Sequence, residues 1–181
     1  RKQRRQRREL SLDLNQSITK KENNTQIRWE MLFKTKGAVM AKKKVFVSFD
    51  YDNDKHYKYL LEAWDANPDF DFVFSDKTPD EIDTTNIGRI KAALTARIKS
   101  ATYTLVIVGK EANKTHKYSK LIGFKNWLNF EIYQSKQNSN KIAVVKIDKS
   151  YESPDELSGA GAAWAMSFTE DAIIKALNEA K

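Results

Sequence analysis

The chain has no cysteine, which excludes a disulfide framework and any thiolate metal site. Its two histidines, His56 and His116, are not spaced as a ligand pair and read as surface positions. No apolar run approaches the ~20 residues that a membrane-crossing helix needs. The opening RKQRRQRREL has no apolar stretch behind its charges, so no secretory leader reads from it. Glycine and proline are scarce, at 6 and 3 residues. The one glycine-rich patch, Gly159-Ala-Gly161-Ala, follows no strand and precedes no Lys-Ser/Thr, which excludes a phosphate-binding loop. These absences fit a soluble protein of a reducing compartment, with the cytoplasm as the expected location.

What is present divides into two parts. The net charge of +8 resembles a nucleic-acid signal until it is apportioned. Residues 1–39 hold 11 basic and 4 acidic side chains, and residues 40–181 hold 21 and 20. The basic character therefore belongs to an N-terminal extension, 1–39, and the domain expected over 40–181 is close to neutral. No aromatic side chains are interleaved with the arginines of RKQRRQRR, so a solvated arm or docking helix is expected in preference to nucleic-acid binding. Within the extension, Ile27–Phe33 alternates like a strand and fits a short helix equally.

From Lys44 onward strand and helix patterns alternate. KVFVSF (44–49) and FDFVFS (70–75) are short β-branched and aromatic runs. TYTLVIVG (102–109) and KIAVVKI (141–147) are nearly continuous apolar runs, as expected of central strands covered on both faces. Helical spacing is present over 54–64, over 87–98, over 125–136 and over 168–181, with Thr84 or Thr85 a plausible cap for the second of these. Residues 149–168 read as loop. This alternation predicts a three-layer α/β fold, flavodoxin-like, with a parallel central sheet of order about 2-1-3-4(-5). The switch point then lies between the first strand and 102–109, where ligands of such sheets bind outside the carboxyl ends of the strands.

Two segments converge there. One is Phe49-Asp50-Tyr51-Asp52, after the first strand. The other is KNWLNFEIYQ (125–134), in which Trp127 and Glu131 are four apart and share a helix face. A calcium loop starting at Asp50 is excluded, because Lys55 replaces the sixth-position glycine and Leu61 the twelfth-position glutamate. A phosphoacceptor site at the third strand is excluded because the strand ends Val108-Gly109-Lys110, without an aspartate. The plain alternatives are a solvated Glu131 on the helix surface, core packing for Trp127, Phe49 and Tyr51, and helix capping for Asp50 and Asp52.

Lys44-Val-Phe-Val-Ser-Phe-Asp50-Tyr-Asp-Asn-Asp54 together with Trp127-Leu-Asn-Phe-Glu131-Ile resembles the bacterial TIR-like domains, including those of the Thoeris anti-phage defence systems. The resemblance covers about residues 42–148. It implies a flavodoxin-like fold, self-association and, in many members, cleavage of NAD at the nicotinamide–ribose bond. It also implies Glu131 as the catalytic carboxylate, with Phe49, Asp50, Tyr51, Asp52 and Trp127 around the substrate. NAD is then a substrate and not a resident cofactor, no metal is needed, and a downstream effector protein is a further partner. A TIR-like module that signals by self-association without catalysis is the alternative, and a domain that binds a nucleotide signal is a third. The connection from Lys110 to Asn126 is longer than is usual before that tryptophan.

Overall fold

A computed structural model describes residues 42–66, 71–75 and 85–181. The basic extension, and the capping position expected at Thr84, lie outside the described residues. The described chain builds five strands: β1 (Lys43–Ser48), β2 (Phe72–Ser75), β3 (Tyr103–Val108), β4 (Lys141–Lys146) and β5 (Ala163–Ala165). Between and after them run the helices α1 (Tyr51–Asp65), α2 (Ile87–Ser100), α3 (Ser119–Ile122), α4 (Trp127–Gln137) and α5 (Glu170–Glu179). All strand pairs are parallel, in the order β2-β1-β3-β4-β5. This is the flavodoxin-like arrangement expected from the alternating pattern, and β1 and β3 flank its switch point.

The side-chain period of two sorts each strand onto two faces. Val45, Leu105, Ile107, Ala143 and Val145 pack on one face with Leu61 of α1 and Ile173 and Leu177 of α5. Phe46, Val106, Val108, Ile142 and Val144 point to the other, where Leu94 and Ile98 of α2 and Leu128, Phe130 and Ile132 of α4 cover them. Every residue of β3 is buried, as a strand with neighbours on both edges and helices on both faces requires.

Three helices start at side-chain caps, supplied by Asp50, Asn86 and Asn126. Asp50 accepts from the Asp52 amide at 3.1 Å, so α1 starts at Tyr51, three residues earlier than the apolar spacing suggests. Asn86, and not a threonine, caps α2 by accepting from the Arg89 amide at 3.1 Å. Thr169 occupies the cap position of α5 without a side-chain bond.

The segment expected to be loop, 149–168, contains a strand. β5 is three residues long and pairs with β4 through Ala143–Ala163, Val144–Trp164 and Val145–Ala165. It closes one edge of the sheet. Gly159 and Gly161 ahead of it have φ of 68° and 62°, the left-handed region that glycine enters without strain. Its pattern, Ala-Trp-Ala, is too short and too small-sided to show a strand period.

Candidate functional site

The site is built where β1 ends. Ser48, the last residue of β1, lies on the same face as Phe46 and so points toward α4. Four residues along α4 from Trp127, Glu131 points back to meet it. The Ser48 hydroxyl donates to Glu131 Oε2 at 2.5 Å, and both side chains are buried. Glu131 is only 2% exposed, which corrects the expectation of a carboxylate on the helix surface. The helix is not simply amphipathic at this point, because its inner face carries polar groups into the interior. Burial pushes the Glu131 carboxyl up to about 8, against the lowering influence of the Ser48 hydrogen bond and the Arg97 charge.

A buried polar seam holds this part of α4 against β3. Ser135 Oγ donates to the Glu131 carbonyl at 2.8 Å and accepts from Thr104 Oγ1 at 2.8 Å. Thr104 Oγ1 in turn accepts from Asn140 Nδ2 at 3.1 Å. Each of these groups is buried and partnered, as interior polar groups must be to avoid their desolvation cost.

An open cleft of about 700 Å³ lies over Glu131. All six residues singled out in the sequence, Phe49, Asp50, Tyr51, Asp52, Trp127 and Glu131, line it. Their surroundings differ. Phe49 is 6% exposed and belongs to the core, while Tyr51 is half-buried with its ring centroid 6.3 Å from that of Phe49. Asp50 is committed to the start of α1, accepting from the Asp52 amide and from Asn53 Nδ2 at 2.8 Å. Asp52 is exposed in the first turn of α1, where a negative charge suits the helix dipole. Trp127 is half-buried, with Phe130 edge-on at 5.9 Å and His116 at 6.5 Å.

The long connection from Lys110 to Asn126 forms the other wall. Thr115, His116 and Lys117 line the same cleft. His116 is half-buried there, which corrects the expectation that it is a surface side chain. Its Nδ1 accepts from the Tyr118 amide at 3.1 Å, and its own amide donates to the Lys125 carbonyl at 2.8 Å. Three buried asparagines tie this loop down. Asn126 caps α4 by accepting from the Asn129 amide at 3.0 Å, and its Nδ2 reaches the carbonyls of Ala112 and Lys114 at 2.9 and 3.0 Å. Asn129 Nδ2 donates to Asn126 and Asn113, and its carbonyl oxygen accepts from the Glu156 amide at 3.0 Å. Asn113 bonds Glu152 and Asp155 at 2.6 and 2.9 Å. The extra length is thus fixed in place and supplies part of the site.

The sequence did not identify Ser48, His116 or this asparagine group. Ser48 had a signal in its strand parity, since it shares the inward face with Phe46 one pair earlier. The asparagines carried only the weak signal of Asn126 standing directly before a helical pattern. Among the described residues, no group of three or more His, Cys, Asp or Glu is placed to hold a metal ion. No described helix is long and apolar enough to cross a membrane.

Comparison with known proteins adds a family. The family described as Thoeris protein ThsB, TIR-like domain, matches residues 46–152. No curated protein matches the chain. Among solved structures, a 2-deoxyribosyltransferase from the psychrotolerant bacterium Bacillus psychrosaccharolyticus is similar at 12% identity and a TM-score of 0.47, over 71% of this chain and 90% of that one.

Proposed function

This chain belongs to the TIR-like domain family of Thoeris protein ThsB, and on that footing we propose that it is a cytoplasmic signalling enzyme of anti-phage defence that cleaves NAD at the nicotinamide–ribose bond. The observation that carries this reading is the placing of Glu131. Its carboxyl lies beneath an open cleft, oriented by Ser48, one turn inside α4 and beside the aromatic wall of Trp127.

The chemistry needs little more. Nicotinamide leaves a ribosyl-pyridinium as a neutral molecule, taking the electron pair of the broken C–N bond, so no general acid is required. Positive charge develops at the ribose carbon, as in glycoside hydrolysis. An ionised Glu131 opposes that charge and accepts a hydrogen bond from a ribose hydroxyl. The cationic ring of the bound substrate lowers the carboxyl's pKa and so promotes this ionised form. Water attacking the same carbon and losing its proton gives ADP-ribose; attack by another hydroxyl of the substrate gives a cyclised product. Copies of the chain associate to complete the assembled signalling state, which passes its product to an effector protein.

A second reading is a self-associating module without catalysis. It draws on the same burial that holds the Glu131 carboxyl protonated at neutral pH in the empty cleft. Incubating the protein with NAD and measuring free nicotinamide, at dilute and at high protein concentration, separates the two. Nicotinamide release that Glu131→Gln lowers by ~10²–10³ supports the enzyme. Equal release by both proteins, or none by either at high concentration, removes it.

A further inference from the structure

A second cleft, of about 520 Å³, opens beside the first turn of α1, where β3 and β4 end. Asp54, Tyr57, Lys110 and Tyr151 stand around it, and it shares Asn53, Glu111 and Lys114 with the cleft over Glu131. The two clefts are therefore neighbours divided by a ridge of these shared residues. On that ridge Lys114 Nζ is 2.8 Å from Glu111 Oε2 and its side chain is well exposed.

Asp54 is the anomaly of this region. It is 5% exposed, and its Oδ2 is fully buried without a hydrogen-bond partner. A buried carboxyl oxygen left unpaired is costly, and a native fold rarely retains one without use. Burial and the nearby Asp50 charge push this carboxyl up to about 6. The carboxyl is also pressed against the end of β3. A Cβ added to Gly109 would come within 2.1 Å of Asp54 Oδ2, so the chain keeps residue 109 bare to let the carboxyl in. No ion pair in the described fold uses Asp54, so its position does not serve a salt bridge of the scaffold.

The remaining groups are complementary. Lys110 is exposed at the mouth and suits a phosphate, while Tyr151 is a half-buried ring that suits a flat base; Tyr57 beside it is already packed against His56 and Phe168, with ring centroids 4.0 and 4.6 Å away. A buried carboxyl beside them suits the vicinal hydroxyls of a ribose. We propose that this second cleft binds a ribonucleoside monophosphate unit, the adenylate half of the dinucleotide whose nicotinamide riboside half lies over Glu131. The diphosphate crosses the ridge at Lys114, and Asp54 takes the hydroxyls of the second ribose through Oδ1, since Oδ2 is fully buried against Gly109. The inference rests on the NAD reading for the identity of the whole substrate.

The test is titration of the full chain with AMP, followed by calorimetry and by nuclear magnetic resonance of Lys110 and Tyr151. Saturable binding is expected, weakened about tenfold or more by Lys110→Glu and by Asp54→Asn, the loss of one charged contact each. Lys110 is exposed, so its variant keeps the fold even where Asp54→Asn does not. AMP is expected to raise the KM for NAD by competition. Absence of AMP binding, binding indifferent to Lys110→Glu, or equal competition by inorganic phosphate would overturn the inference. AMP binding of the expected pattern without nicotinamide release retains this cleft and removes the enzyme reading. Nicotinamide release without AMP binding removes this cleft alone.

Discussion

Ser48 and Glu131, 83 residues apart in the chain, are joined by a 2.5 Å hydrogen bond from the hydroxyl to Oε2. The bond crosses from the last residue of a strand to the second turn of a helix, so it fixes the carboxyl relative to the carboxyl edge of the sheet. It also favours the ionised form, opposing the burial that raises the pKa.

Ser48→Ala is expected to lower NAD turnover by roughly 10–100-fold, the range for a hydrogen bond to a charged group. The rate should rise with pH as the Glu131 carboxyl ionises, with a midpoint near 8 in the free protein. Removing the Ser48 donor moves that midpoint upward. Rate measured against pH for both proteins checks the pair of effects, and an unmoved midpoint would sink the positioning role of Ser48.

Glu131 also makes stability depend on pH in a definite sense. Its folded pKa is raised from 4.5 to about 8, so between those values the unfolded chain is ionised while the folded chain holds its proton. The folded state thus binds more protons, and this group's contribution to stability falls as pH rises through that window. Below 4.5 the effect vanishes, and above about 8 it falls no further. Glu131→Gln has no such titration. Its Tm relative to wild type should therefore be higher at pH 8 than at pH 4.5. Thermal melts at the two pH values read the difference directly.

Asn126→Ala is expected to cost roughly 2–4 kcal/mol, combining a lost helix cap with one buried and one part-buried carbonyl that lose their partner. Urea denaturation measures the loss. Hydrogen exchange should show protection falling first at residues 110–125, the loop that this side chain anchors.

Gly109→Ala places a methyl group against the Asp54 carboxyl and should destabilise the fold by about 1–3 kcal/mol. Asp54→Ala in the same chain removes the collision. A double-mutant cycle should therefore return a coupling energy of at least ~1 kcal/mol. Additive losses would show that the two groups do not press on each other.

Much of this fold is written as periodicity. The buried runs 102–109 and 141–147 can only be strands covered on both faces, and the switch point follows from their order. Tyr51 as a helix start was less legible, because the Asp50 cap acts before the apolar spacing begins. β5 was hidden because three residues, two of them alanine, show no period. The six residues gathered at the cleft were legible as two segments meeting at the carboxyl edge. Glu131's burial was not, since a four-residue spacing specifies a helix face but not what covers it. Nor was Asn129, whose partners Asn113 and Glu156 lie in other segments brought near only by the finished fold.

The brevity of β5 limits how copies of this protein can join. It is an edge strand of three residues, with Trp164 42% and Met166 47% exposed beside it. An incoming strand would find apolar side chains but only a few ladder bonds to make. Growth by strand addition, the route to fibrous aggregates, therefore gains little at this edge. The side chains can still attract a second molecule, but any ordered contact there must be made through rings and thioethers and not through a continued sheet.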